Sequence, residues 1–130
     1  ETRVVLERAA AVAAAENCDE KTVAELEAML HEMRETQDAA AFNRLDTAFH
    51  VAIAGIGANR LVRDVTVAIR EAVARPILDA ERVLPGWEAL RQQLNAEHSA
   101  ILEALRAGDG DLAADRCEAH IRQAHRALLP

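Results

Sequence analysis

The sequence predicts an all-α fold, an antiparallel bundle of helices closed around an aliphatic core. Two observations carry this expectation. Hydrophobic residues make up 51% of the 130 positions, yet Phe42, Phe49 and Trp87 are the only aromatics, so the core falls to Ala, Leu, Val and Ile, which suit closely packed helices. The β-branched residues stand singly, with no stretch of strict alternation bounded by turn residues, so no sheet is expected. A chain of this length suits one domain, long enough to bury a core without staples.

The first helix is expected from about Arg3 to Ala15, where Val4, Val5, Leu6, Ala9, Val12 and Ala13 recur at helical spacing. Asn17 and Cys18 interrupt it, and Asp19 is placed to cap the second helix. That helix carries Val23, Leu26, Met29, Leu30 and Met33 on one face and Glu25, Glu27, Glu32, Arg34 and Glu35 on the other. Asp38 can cap a third helix running to about Gly55, with the stripe Phe42, Leu45, Phe49, Ala52, Ile53 and Ile56. The segment from Gly55 to Asn59 reads as a turn, and Asn59 as the cap of a long fourth helix from Arg60 to about Val83. Pro76 should kink it, since proline removes a donor and crowds the preceding turn, and Pro85-Gly86 end it. A fifth helix is expected from about Trp87 to Ala107 and a sixth from Leu112 to Leu129, with Gly108 and Gly110 as the stop and Asp111 as the next start. Leu61, Val65, Ile69 and Val73 give the fourth helix an apolar seam, part of it available to a partner subunit.

Net charge is −7, and an acidic chain repels phosphate backbones, so these residues are not expected to grip nucleic acid themselves. Cys18 and Cys117 stand far apart with no C-x-x-C, and no apolar run approaches the roughly 18 residues of a membrane span. A soluble cytoplasmic protein with no membrane partner is the expectation.

The informative feature is where histidines fall. The inward row of the fifth helix reads Leu90, Leu94, His98, Ile101, Leu105, and that of the sixth reads Ala113, Cys117, His120, Ala124, Leu128. Asp46 and His50 are one turn apart on the third helix, at the edge of its buried stripe. Burying one carboxylate and three imidazoles is costly unless they are paired or bind a metal. Each could be satisfied by hydrogen bonds, with Asp46 and His50 as a surface pair. Alternatively one divalent ion, Zn, Ni, Mn or Fe, serves all four, since neutral imidazole and carboxylate suit these metals. His31 lies among charges and His125 one step off the inward row, so both read as solvated or peripheral.

Several stretches resemble the FadR C-terminal (FCD) domain group of GntR-type transcription regulators. They are Leu45-Asp46-Thr47-Ala48-Phe49-His50, Gly57-Ala58-Asn59-Arg60-Leu61, Glu97-His98 through Ala104-Leu105, and Gly110-Asp111 leading to His120-Ile121; the opening Glu1-Thr2-Arg3 through Ala13-Ala14 is similar to that domain's first helix. The resemblance covers essentially the whole chain. It implies a bundle of six or seven helices holding a divalent metal on Asp46, His50, His98 and His120, and a small carboxylate effector in a cavity beside it. It further implies a homodimer that meets operator DNA only through an N-terminal winged helix-turn-helix not contained in these residues. Arg3 is the first candidate to hold the acid's far end, because the resemblance places the first helix over the cavity; an exposed helix-start arginine is the alternative. Asn95 and Cys117, one turn before His98 and His120, either line the cavity or simply pack.

Two rival functions fit the same residues. A metal-dependent hydrolase could use an open coordination position to activate water, but it wants a general base, and there is no H-E-x-x-H and no pair of E-x-x-H motifs. A purely structural bundle would satisfy its histidines internally.

Overall fold

A computed structural model describes residues 2–129. Six helices are formed: α1 (Thr2–Asn17), α2 (Glu20–Arg34), α3 (Ala39–Ile56), α4 (Arg60–Val83), α5 (Trp87–Arg106) and α6 (Gly110–Leu128), with no strand among the described residues. Their starts are chemical. The side chains of Asp19, Asp38 and Asn59 accept from the amides of Thr22, Ala41 and Val62, each satisfying a donor that the first turn leaves free.

The α5–α6 connection departs from the expectation. Asp109, not Asp111, caps α6, accepting from the Leu112 amide. The physical reason is how quickly the chain reverses. Gly108 adopts φ 70, its amide bonds Leu105 O, and the Asp109 amide bonds Ala104 O, a left-handed helix stop complete by Asp109. The first free amides of α6 then lie within reach of Asp109, while Asp111 already sits in the first turn. Pro76 lies on an exposed side of α4, and the helix runs unbroken from Arg60 to Val83 through it.

Cross-links between helices show their directions. Asn43 Nδ2 donates to Ala74 O while the 57–59 turn joins the other ends, so α3 and α4 are antiparallel. Arg116 donates to Ala100 O and His120 meets Glu97, so α5 and α6 are antiparallel too. Val12 lies against Gly110 while Val4 lies beside Ile121, and Arg34 and Arg106 on α2 and α5 are linked to Ser99 and Glu27 in opposite order, giving the same relation for α1–α6 and α2–α5. Arg91, buried, donates to Arg34 O and Thr36 O and so satisfies carbonyls at the end of α2.

The core is aliphatic with two phenylalanines, as composition requires: Leu26, Leu30, Met33, Phe42, Phe49, Ile101, Leu102 and Leu105 are almost wholly buried. α1 lies centrally, packing on α3, α4, α5 and α6. Ala10, Ala11, Ala14 and Ala15 make that possible, because small side chains let four neighbours approach one helix. The approach is tightest at Gly57, where a Cβ would stand 2.6 Å from Ala13 Cβ. Gly57→Ala should therefore destabilise the fold by about 1–3 kcal/mol in urea unfolding. Gly55→Ala, with nothing within 4 Å of the added methyl, should be neutral or stabilising by up to ~1 kcal/mol.

Candidate metal centre

α3 turns Asp46 and His50 inward together because they follow Phe42 and Phe49 around the same face, one turn apart. His98 arrives mid-row on α5 between Leu94 and Ile101, and His120 on α6 between Cys117 and Ile121. All four side chains are buried, and one ligand atom from each lies within 4.8 Å of the others. Asp46 Oδ1 is 2.9 Å from His98 Nε2 and 3.3 Å from His50 Nε2, and the two Nε2 atoms are 3.3 Å apart. The rings of His50 and His120 stack with centroids 5.1 Å apart, and Phe49 lies against both His50 and His98.

Proton placement makes this cluster fit a cation. His120 Nδ1 lies 2.7 Å from Glu97 Oε1, and His50 Nδ1 lies 3.4 Å from Glu7 Oε1. An imidazole that donates from Nδ1 presents the Nε2 lone pair on its other side. Lone pairs thus converge with the Asp46 carboxylate, whose Oδ1 accepts no well-formed hydrogen bond although it is buried. Such a set repels itself unless a positive charge stands between its members, and three nitrogens with one oxygen suit a first-row divalent ion. Glu7 and Glu97 are placed as acceptors that would orient the imidazoles if they ligated such an ion. His98 Nδ1 has no hydrogen-bond partner among the described residues.

The electrostatics agree. Burial, followed by the neighbouring rings, holds His120 well below the ordinary imidazole range, and burial likewise lowers His98 against the pull of Asp46, so both are neutral near pH 7. Burial alone would raise Asp46, but the His50 and His98 ring nitrogens close to its Oδ1 hold it well below the usual carboxylate range. Neutral imidazoles with an ionised carboxylate are the ligand forms a metal needs.

Behind His50 lies an ion cluster that sequence reasoning missed. Glu7 accepts from Arg70 Nε at 3.0 Å, from Arg70 Nη2 at 2.8 Å and from Arg3 Nε at 3.1 Å. Burial pushes Glu7 up, but Arg70 and then His50 outweigh it and keep it ionised. A signal for Glu7 existed: Val4, Glu7, Ala11 and Ala14 are spaced three and four apart and all are buried.

Arg3 is mostly buried, bound to Glu7, and lines a groove of about 290 Å³ with Val4, Ile121, Arg122, His125 and Arg126. His125 is thus exposed but borders a groove, while His31 is exposed. Cys117 is buried near the Glu7–Arg70 pair, and burial, then Glu7, pushes its thiol up to about 12. Asn95 is not brought to the cluster. It lines a separate depression with Arg34, Arg91, Gln92, Ala96 and Ser99, because its position on α5 faces the α2 side. A second groove reaches the edge of His120 between Glu97 and the arginines Arg116, Arg122 and Arg126.

Fold and site together define an all-helical domain with a candidate metal centre backed by a pair of buried arginines. The FCD domain family model matches residues 1–123, and the chain belongs to that family. It is similar to the galactonate operon transcriptional repressor of Escherichia coli (strain K12), 35% identical over 114 residues, covering 87% of this chain and 48% of the relative. The chain therefore spans about half the length of that relative. No helix among the described residues is long and apolar enough to cross a membrane.

Glu81 on α4 is a further buried acid, with neither oxygen hydrogen-bonded, and burial followed by the charge of Asp46 pushes it up to about 8. Its folded form favours the proton, so its destabilising effect grows as pH rises from the ordinary carboxylate value near 4.5 and levels off above about 8. In metal-free protein Glu81→Gln should accordingly match wild type near pH 4.5 and exceed it by on the order of 2 kcal/mol at pH 8. Urea unfolding across that range checks this, and a constant difference would refute it.

Proposed function

We propose that this chain is the effector-sensing and dimerisation part of a bacterial GntR-type transcription regulator. It holds a divalent metal on Asp46, His50, His98 and His120, and a small organic acid beside it alters operator binding through a separate N-terminal domain. The observation that carries the reading is the buried cluster of converging lone pairs, joined through Glu7 to the guanidiniums of Arg70 and Arg3. With Asp46 counted, a divalent ion there supplies about one net positive charge and a Lewis-acidic point for a carboxylate oxygen. Arg70 and Arg3 can engage the acid's other end, Arg70 with a bidentate fork. Phe42 and Phe49 exclude water on the core side, and Glu7 and Glu97 fix the rings.

The relative's name ties it to a galactonate operon. Galactonate is a polyhydroxy carboxylate, and a hydroxy acid of that kind suits a site offering a metal and arginines. The hydrolase alternative asks for a base free to activate water, whereas both acids at the cluster, Glu7 and Glu97, are engaged with ring nitrogens. Membership in the FCD family also favours sensing over catalysis. A dimer surface is offered by the α4 seam of exposed Leu61 and half-buried Val65, Ile69 and Val73.

Purified protein is expected to carry about one divalent ion per chain and to lose several degrees of melting temperature on chelation, while His98→Ala binds none. Metal-loaded protein should then melt higher with D-galactonate or a related hydroxy acid, and Arg3→Ala should weaken that acid at least tenfold, roughly 1.4 kcal/mol. A metal-free protein indifferent to chelator and added ions would remove the metal site and leave only the fold and a regulatory role without it. Sedimentation should give a dimer that Leu61→Glu shifts toward monomer; a monodisperse wild-type monomer at high micromolar concentration would remove the dimer surface.

A further inference from the structure

Glu7 sits where a free carboxylic acid would be expected to sit. Arg70 spans both of its oxygens, Nε to Oε2 and Nη2 to Oε1, and Arg3 Nε shares Oε2. Two guanidiniums around one carboxylate, away from water, form the arrangement that recognises carboxylate by shape as well as charge. All three side chains are largely buried, with 3% exposure for Arg70, 6% for Glu7 and 14% for Arg3. Two guanidiniums share the one carboxylate they contact, and the next negative charge acting on both is Asp46. Glu7 Oε1 is also the atom beside His50 Nδ1, so this anion position touches the metal cluster through one ring.

We propose that Glu7 occupies the carboxylate position of the effector site as an intramolecular competitor. The inference rests on the sensor reading above and adds its regulation: an organic acid reaches the Arg70 fork only by displacing Glu7. Glu7 belongs to α1, Arg70 to α4 and His50 to α3. The exchange therefore removes the buried ion pair joining α1 to α4 and withdraws the carboxylate facing His50. A bound acid would replace the direct Glu7–Arg70 tie by a bridge that reaches α1 only through the longer side chain of Arg3. The competitor also lowers apparent affinity by the fraction of time it holds the fork.

The test uses metal-loaded protein and acetate, which is the Glu7 carboxylate without its tether. Acetate is titrated by calorimetry and thermal melting into wild type, Glu7→Ala and Glu7→Gln, with sodium chloride as the ionic-strength control. Both variants should bind acetate saturably, at least tenfold more tightly than wild type, and regain melting temperature as they fill; adding Arg70→Lys should abolish the gain. If Glu7→Ala does not fold, Glu7→Gln keeps the side chain's size and the comparison stands. Acetate binding equal to or weaker than wild type, or stabilisation that chloride reproduces, would overturn the proposal. The sensor reading fails differently. If hydroxy acids never bind wild type while acetate still fills the variants, the Arg3–Arg70 position is right and the sensing role is wrong; if hydroxy acids bind wild type and Glu7→Gln alike, the sensor stands and the competitor falls.

Discussion

Placing three imidazoles and a carboxylate in the middle of an aliphatic bundle imposes the demand that the other features answer. Each buried polar group left unsatisfied costs on the order of 1–3 kcal/mol, and an unpaired charge more. The four residues come from three helices, so the requirement binds α3, α5 and α6 into one arrangement. Two acids complete it, Glu97 from α5 against His120 and Glu7 from α1 against His50. Phe49, in contact with two of the rings, keeps water from the core side. A bundle with apolar residues at these positions would meet no such demand, so stability alone gives no reason for the polar centre, whereas the proposed metal-and-effector role does.

The position of α1 depends on a second constraint, this one steric. A glutamate is short, and Glu7 reaches both His50 and Arg70 only if the α1 backbone lies close to α3 and α4. Buried alanines and the bare Cα of Gly57 allow that closeness. Gly110 plays a similar part on the other side, where a Cβ would meet Val12 Cγ1 at 3.3 Å. The ions on α1 and the alanines around them are therefore one design: small residues set the distance at which the charged ones can pair. A shift of α1 by even a fraction of an ångström would be felt at the arginines, because close-packed interfaces rearrange rather than stretch.

Much of this was legible in the sequence, for definable reasons. Four caps out of the helix starts were sought as Asp or Asn before a periodic run, and Asp19, Asp38 and Asn59 act as such; the fourth moved by two residues because the left-handed Gly108 completes the turn early. His98 and His120 were visible because a histidine inside an otherwise apolar row stands out. Glu7 and Arg70 did not stand out. Charged residues on amphipathic helices are usually solvated, and α4 offered a more obvious apolar row at Leu61, Val65, Ile69 and Val73, whereas its buried face is Thr66, Arg70, Ile77 and Glu81. Position on a helix also does not fix which neighbour a side chain meets: Asn95 is three residues from His98 yet faces the α2 side.

The buried ion group behind His50 also bears on how the proposed sensor would be switched. Buried ion pairs add little to stability, because desolvation offsets most of the attraction, and apolar replacements of similar volume are often as good or better by ~1–4 kcal/mol. What an ion pair offers instead is exchangeability. One carboxylate replaced by another at the same arginines changes the electrostatic energy far less than removing it would, so the difference between a tethered and a free acid can be small even though each interaction is strong. A ligand acts on an equilibrium only through its differential affinity for two states, and a difference of a few kcal/mol is enough to reverse a population. In the proposed exchange the tethered acid joins α1 directly to Arg70, whereas the free acid reaches α1 only through Arg3. Small net energies at Arg70 would then become a change in helix placement at the one element that touches α3, α4, α5 and α6.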